Sequence, residues 1–221
     1  VKQDILRHYP VPADKITVTP EAAKEIYFKP SPPLSLPYPY FIYVGNAYPH
    51  KNVAQLIKAV QILREQKEKV KLVIVTGRDW FYQKLRREIT RMRAQSAVKL
   101  KDFTSDIDLV SLYRGAKALV TASYFEGFGL PGLEALAAGT LVLASNRAAL
   151  PETYGSVAEY FDPDNLGELT AKLKRILQLP DEARRRQISA GRAYSRRFSW
   201  AKTARQTLEI YERCLGLRPR Q

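Results

Sequence analysis

The chain has 221 residues, a formal charge of +14 from 36 Lys and Arg against 22 Asp and Glu, and 45% hydrophobic residues, which is enough for a packed core and too many for a disordered basic tail. One cysteine, Cys214, and two histidines, His8 and His50, exclude a disulfide framework and a thiolate zinc cluster and leave little for a histidine-based metal site or a Ser-His-Asp triad. No apolar run reaches the roughly 18 residues that a membrane span needs and no charged-then-apolar leader opens the chain, so the expectation is a soluble, basic, cytoplasmic domain.

Residues 1–37 carry seven prolines, each without an amide donor and each restraining the residue before it. They read as a connector from a preceding domain, with a helix over 2–8 and a short strand over 15–19. From Tyr38 strands and helices alternate. Strands are expected over 40–44, 70–75, 98–103, 118–121 and 140–144, where β-branched, aromatic and aliphatic residues run almost without interruption. Helices are expected over 52–67, 81–92, 107–114 and 131–138, followed by 166–178, 181–198 and 200–214. Strand-helix alternation about every 25 to 30 residues implies right-handed crossovers and a parallel sheet. The fold class is therefore α/β, an open doubly wound parallel sheet over 38–197, with ligands expected outside the carboxyl ends of its strands.

Charge is uneven along this framework. By segment it is +3 over 1–62, +8 over 63–101, −4 over 102–180 and +7 over 181–221. The two basic blocks are where phosphate-rich partners would bind, since such affinity comes from clustered Lys and Arg. Neither block carries a nucleic-acid motif or a regular stacking platform, which argues against a nucleic-acid-binding module.

The loop after the fourth strand carries the most chemistry. Gly127 and Gly129 let backbone approach a ligand closely, Pro131 suits a helix start and Gly139 suits its left-handed end. Free amides with the positive end of a helix make a phosphate or diphosphate site, although tight turn geometry alone would also explain the glycines. Glu126 lies beside that site, where a carboxylate is tolerated if it faces neutral hydroxyls such as those of a sugar. Glu134, placed in the first helical turn, would either complement the helix dipole or hold the hydroxyls of a ribose.

The stretch 124–139, YFEGFGLPGLEALAAG, resembles the Glu-x7-Glu signature of family 4 glycosyltransferases, retaining enzymes with the GT-B fold. Further stretches keep the family's order: YVGNAYPHKN at 43–52, LYRGAKALVTAS at 112–123, LVLASNRAALPET at 141–153, YFDPDN at 160–165 and FSWAKTA at 198–204. The resemblance implies two stacked Rossmann-like domains, of which this is the carboxy-terminal, donor-binding half. It implies a nucleoside-diphosphate sugar as donor substrate, no further cofactor, no metal, and an amino-terminal GT-B domain as partner. Carried over by position, Glu126 contacts the transferred sugar, the amides of Gly127, Phe128, Gly129 and Leu130 meet sugar and diphosphate, Glu134 binds ribose, and the base lies near Phe103 and Thr104. After the first strand, Gly45 is followed by Asn46, where the family commonly has an arginine, and by Lys51, which keeps the family's diphosphate-binding lysine. Lys51 and Glu126 are thus the catalytic candidates, and Asn46 keeps a noncatalytic scaffold as the alternative.

The remaining features have plainer readings. Asp106 with Asp108, and Asp162 with Asp164, look like metal-binding pairs but precede helices, where capping is simpler. His50 is read as a solvated or capping loop residue, Arg184, Arg185 and Arg186 as a solvated face, and Cys214 as a partly buried thiol. Trp200, Leu208 and Tyr211 are expected to pack against a domain face, on a terminal helix (198–221) that in the family crosses toward the other domain. Trp80, Phe81 and Tyr82 beside Lys84, Arg86, Arg87, Arg91 and Arg93 are a plain basic surface or a site of attachment to an anionic membrane, at its inner face.

Overall fold

The structure is a computed structural model that describes residues 1–102 and 104–216. Its strands are β1 (Tyr40–Val44), β2 (Lys71–Val75), β3 (Val98–Lys101), β4 (Leu119–Thr121), β5 (Val142–Ser145) and β6 (Glu159–Phe161). All pair in parallel, in the order β3-β2-β1-β4-β5-β6. The chain runs outward from β1 to β3, then returns to the far side of β1 as β4. The order therefore reverses between β1 and β4, which opens a crevice at their carboxyl ends.

The helices are α1 (Lys2–His8), α2 (Val53–Glu65), α3 (Trp80–Arg91), α4 (Asp106–Gly115), α5 (Leu130–Ala138), α6 (Leu150–Tyr154), α7 (Leu166–Leu177), α8 (Asp181–Ser195) and α9 (Trp200–Cys214). Side chains of β1 alternate between two cores: Phe41 and Tyr43 join α2, α3 and α7, whereas Tyr40 and Ile42 join α4 and α5. A strand buried on both sides must be apolar throughout, and β1 reads YFIYV for that reason. Among the described residues no helix is long and apolar enough to cross a membrane.

Several expectations change. Residues 15–19 form no strand; a 3-10 turn at Ala13–Lys15 leads into extended chain without a sheet partner. The short strand β6 and the five-residue α6 have no counterpart among the expected elements. The proline-rich segment is partly core: Ala22, Ala23, Tyr27 and Phe28 are buried, the last three in the layer of α4 and α5. Its carbonyls, which prolines keep out of any ladder, accept side-chain donors instead. Arg114 donates to Ser31 O and Lys29 O at 2.7 and 2.9 Å, and Arg192 to Phe28 O at 2.9 Å.

The basic run on α8 is not uniformly solvated. Arg184 reaches in and donates twice to Lys117 O, at 2.9 and 3.0 Å, while Arg186 stays outside in an ion pair with Glu182. On α9 the opposite occurs: Trp200, Leu208 and Tyr211 are exposed, and so is Cys214. The inward-facing side of α9 is used elsewhere, with Thr203 donating to Pro20 O.

Candidate functional site

Two loops converge at the reversal point. The first leaves β1 through Gly45, where a φ of +144° and the Tyr43 hydroxyl, 3.2 Å from where a Cβ would stand, both favour glycine. It then makes a 3-10 turn at Pro49–Lys51 and enters α2 through Asn52, a left-handed residue at φ 51°. The second leaves β4 through Ser123 and enters α5 through Gly129, at φ +96°. The two are tied together where His50 O accepts from the Tyr124 amide at 2.8 Å, and Asn52 is tied to the loop after β6 by donating to Pro163 O at 3.2 Å.

This clasp brings the two catalytic candidates into contact. Lys51 Nζ lies 2.7 Å from Glu126 Oε2, and each side chain is only 17% exposed. The other carboxylate oxygen, Oε1, accepts from Ser123 Oγ at 2.8 Å, and Ser123 Oγ is 3.0 Å from Thr121 Oγ1. Glu126 is therefore oriented from the strand end on one side and neutralised by Lys51 on the other.

The glycine loop is held from below by one side chain. The buried Tyr154 donates to Gly129 O at 2.6 Å, and a Cβ on Gly132 would lie 2.3 Å from the same ring. Tyr154 and Gly132 therefore set the height of the loop, and neither stands out in the sequence. A tyrosine 22 residues beyond a helical glycine has no local signature. By contrast a Cβ on Gly127 would meet nothing within 4 Å. Among the described residues the amides of 127–130 donate to no backbone carbonyl, as expected of groups at and before the first turn of α5, which leaves them available to a ligand there.

Glu134 is the fifth residue of α5, beyond its first turn, so the dipole reading does not apply. It is 8% exposed and accepts from Tyr113 Oη at 3.4 Å. Burial pushes its carboxyl up to about 7, against the opposing pull of the Tyr113 hydrogen bond. A group poised at that value changes charge at neutral pH, which makes this site a candidate for ligand-coupled protonation.

Other candidates are placed differently. Asn46 has its side-chain oxygen buried without a partner among the described residues, while its backbone carbonyl accepts from Tyr43 Oη at 2.6 Å. Thr104 lies at the carboxyl side of β3 and spends its hydroxyl on Asp108, 3.1 Å away; Phe103 lies outside the described residues. Phe128 packs edge-on against Phe198 at 5.8 Å, turned from the Lys51–Glu126 contact toward the start of α9. The acidic pairs do not cap as expected. Ser105 caps α4 and Asn165 caps α7, while Asp106 pairs with Lys24 and Asp162 with Arg147. Among the described residues no group of three or more His, Cys, Asp or Glu is arranged to hold a metal.

The family described as glycosyl transferases group 1 matches residues 27–194, most of the chain and all six strands. The chain belongs to this family. The O-antigen chain mannosyltransferase B of Escherichia coli is 31% identical to this chain over 221 residues, covering 96% of it and 58% of the relative. The MMP alpha-(1->4)-mannosyltransferase of Mycolicibacterium hassiacum is 32% identical over 219 residues, covering 96% and 52%. The chain thus spans little more than half the length of these curated relatives. A solved glycosyltransferase from Rickettsia africae ESF-5 superposes with a TM-score of 0.84 at 22% identity, over 97% of this chain and 61% of that one. That likeness is one of fold, a Rossmann-like half of the GT-B architecture.

Proposed function

We propose that this chain supplies the donor site of a retaining family 4 glycosyltransferase, moving a hexosyl group from a nucleoside diphosphate to an acceptor hydroxyl. The carrying observation is the Lys51–Glu126 contact, next in the chain to the amides of 127–130 that no described carbonyl takes up, at the point where strand order reverses. Both named relatives are mannosyltransferases, so mannose is the first sugar to try.

In this reading the diphosphate takes Lys51 and the amides, and sugar hydroxyls take Glu126, so donor binding exchanges one ion pair for two separate contacts. The bond from the anomeric carbon to the phosphate oxygen breaks, and a bond to the acceptor oxygen forms on the same face. The departing phosphate accepts the acceptor's proton. Negative charge grows on the diphosphate as it leaves, which fixed amides and an ammonium stabilise without reorganisation. Ribose hydroxyls donate to Glu134, and the base lies toward Thr104. The whole protein pairs this half with an amino-terminal GT-B domain that carries the acceptor site.

Asn46 supports a second reading, a scaffold that binds donor without turnover, because an amide donates a hydrogen bond but supplies no charge to the diphosphate. The test is transfer and hydrolysis of a nucleoside-diphosphate mannose by the complete protein. Retained anomeric configuration in the product, with about 10²-fold lower kcat in Glu126→Ala and Lys51→Ala, supports the enzyme. Donor binding with neither transfer nor hydrolysis supports the scaffold.

A further inference from the structure

The head of α3 lies at the same carboxyl edge of the sheet as the Lys51 loop, because β2 runs toward that edge and α3 begins after four intervening residues. Trp80, its first residue, is 69% exposed. The ring is not loose: Phe81 meets it edge-on at 4.8 Å and itself packs on Tyr48 at 4.5 Å, three residues from Lys51. Lys84 stands with its ammonium 5.7 Å from the Trp80 ring.

Behind this aromatic head the helix is basic. Residues 80–93 carry Lys84, Arg86, Arg87, Arg91 and Arg93 against Glu88 alone. Leu85 and Ile89 are the side chains that α3 buries, and the five basic residues are exposed. Arg91 pairs with Glu88 at 3.4 Å, and Lys84, Arg86, Arg87 and Arg93 form no ion pair among the described residues. An indole set at the end of a helix with unneutralised cations along its outer face matches an interface whose surface is anionic and whose interior is apolar.

We propose that the exposed side of α3, with the turn that follows it, docks on an anionic phospholipid bilayer, with Trp80 as the interfacial anchor, Lys84, Arg86 and Arg87 of the helix and Arg93 of the turn as the charge contacts. This surface holds the mouth of the Lys51 loop near the lipid headgroups. The inference does not rest on the donor-site reading, since none of these side chains lies in the Lys51–Glu126 contact. A nucleic acid would use the same cations but needs no single exposed indole at one end, and it forms the competing outcome.

The test is sedimentation of the 221-residue chain with vesicles of about 30% phosphatidylglycerol in phosphatidylcholine, and with phosphatidylcholine alone, at about 0.15 M salt. The expected result is binding to the anionic vesicles only, weakened about tenfold or more in the double variant R86E/R87E. In a Trp200→Phe background, where Trp80 is the remaining tryptophan, its emission shifts to the blue on adding anionic vesicles. Circular dichroism and thermal unfolding of R86E/R87E check that the fold persists. Equal binding to both vesicles, no loss in R86E/R87E, no shift of the Trp80 emission, or tighter binding to random duplex DNA than to anionic vesicles would each overturn the proposal.

Discussion

The ammonium of Lys51 and the carboxylate of Glu126 meet at 2.7 Å, although 75 residues separate them in the chain. Parallel pairing of β1 with β4 makes this possible, because it brings two carboxyl-end loops side by side. The pair also joins the two chemistries a nucleotide sugar requires, a cation for phosphate and an anion for hydroxyls.

Exchange of that pair predicts opposite effects from its two members. Lys51→Ala is expected to weaken binding of a free nucleoside diphosphate about tenfold, the cost of one charge-assisted contact. Glu126→Gln releases Lys51 and is expected to leave that affinity equal or tighter, while removing the increment contributed by the sugar. Titration calorimetry of both variants with the diphosphate and its sugar checks this.

Glu134 gives stability a pH dependence of defined sign. The folded carboxyl titrates at about 7 rather than near its ordinary 4.5, so between those values the folded chain holds a proton that the unfolded chain has lost. Stability attributable to Glu134 therefore falls as pH rises from about 4.5 to 7 and stays low above, by at most on the order of 3 kcal/mol. Glu134→Gln is expected to remove this slope, so that its stability relative to wild type is greater at about pH 8 than at about pH 5 in urea unfolding. On the proposed ribose-binding role, hydroxyls that donate to Glu134 favour its ionised form, so nucleotide binding at about pH 6.5 is expected to release protons. Buffers of different ionisation enthalpy measure that release.

Two glycines of one loop should separate stability from binding. Gly132→Ala forces a methyl against the Tyr154 ring, which is buried and fixed by its bond to Gly129 O, and is expected to cost about 1–3 kcal/mol. Gly127→Ala meets nothing and is expected to change stability by less than about 0.5 kcal/mol. Its methyl stands where donor would approach the amides, so diphosphate affinity should drop. Thermal unfolding and calorimetry together distinguish the two.

Much of this fold is legible in the sequence because its strands are buried on both sides and its helices on one. β1 and α9 begin and end where the residue pattern places them. β6 is not legible in this way, since Glu159, Tyr160 and Phe161 are three residues of which only Phe161 is buried. The packing of Tyr27 and Phe28 is hidden by the surrounding prolines, which signal irregular backbone but say nothing about burial. In the site, Lys51, Glu126 and the glycines are local signals. Their contact, the Tyr154 support and the protonation of Glu134 depend on residues distant in sequence, which periodicity and spacing do not encode.

Tyr27 offers a check on that hidden packing. Tyr27→Ala is expected to cost about 3 kcal/mol, because the ring is fully buried and packs 6.0 Å from Tyr113. A solvated connector would lose almost nothing, and urea unfolding of the variant decides between the two.

The most direct measurement is calorimetric titration of the 221-residue chain with UDP, GDP and ADP, and then with the mannose or glucose conjugate of the best of them. The expected result is selective binding of one diphosphate, tightened by its sugar in wild type and not in Glu126→Gln. No binding of any diphosphate, or binding unchanged by Lys51→Ala, would contradict a donor site at this crevice.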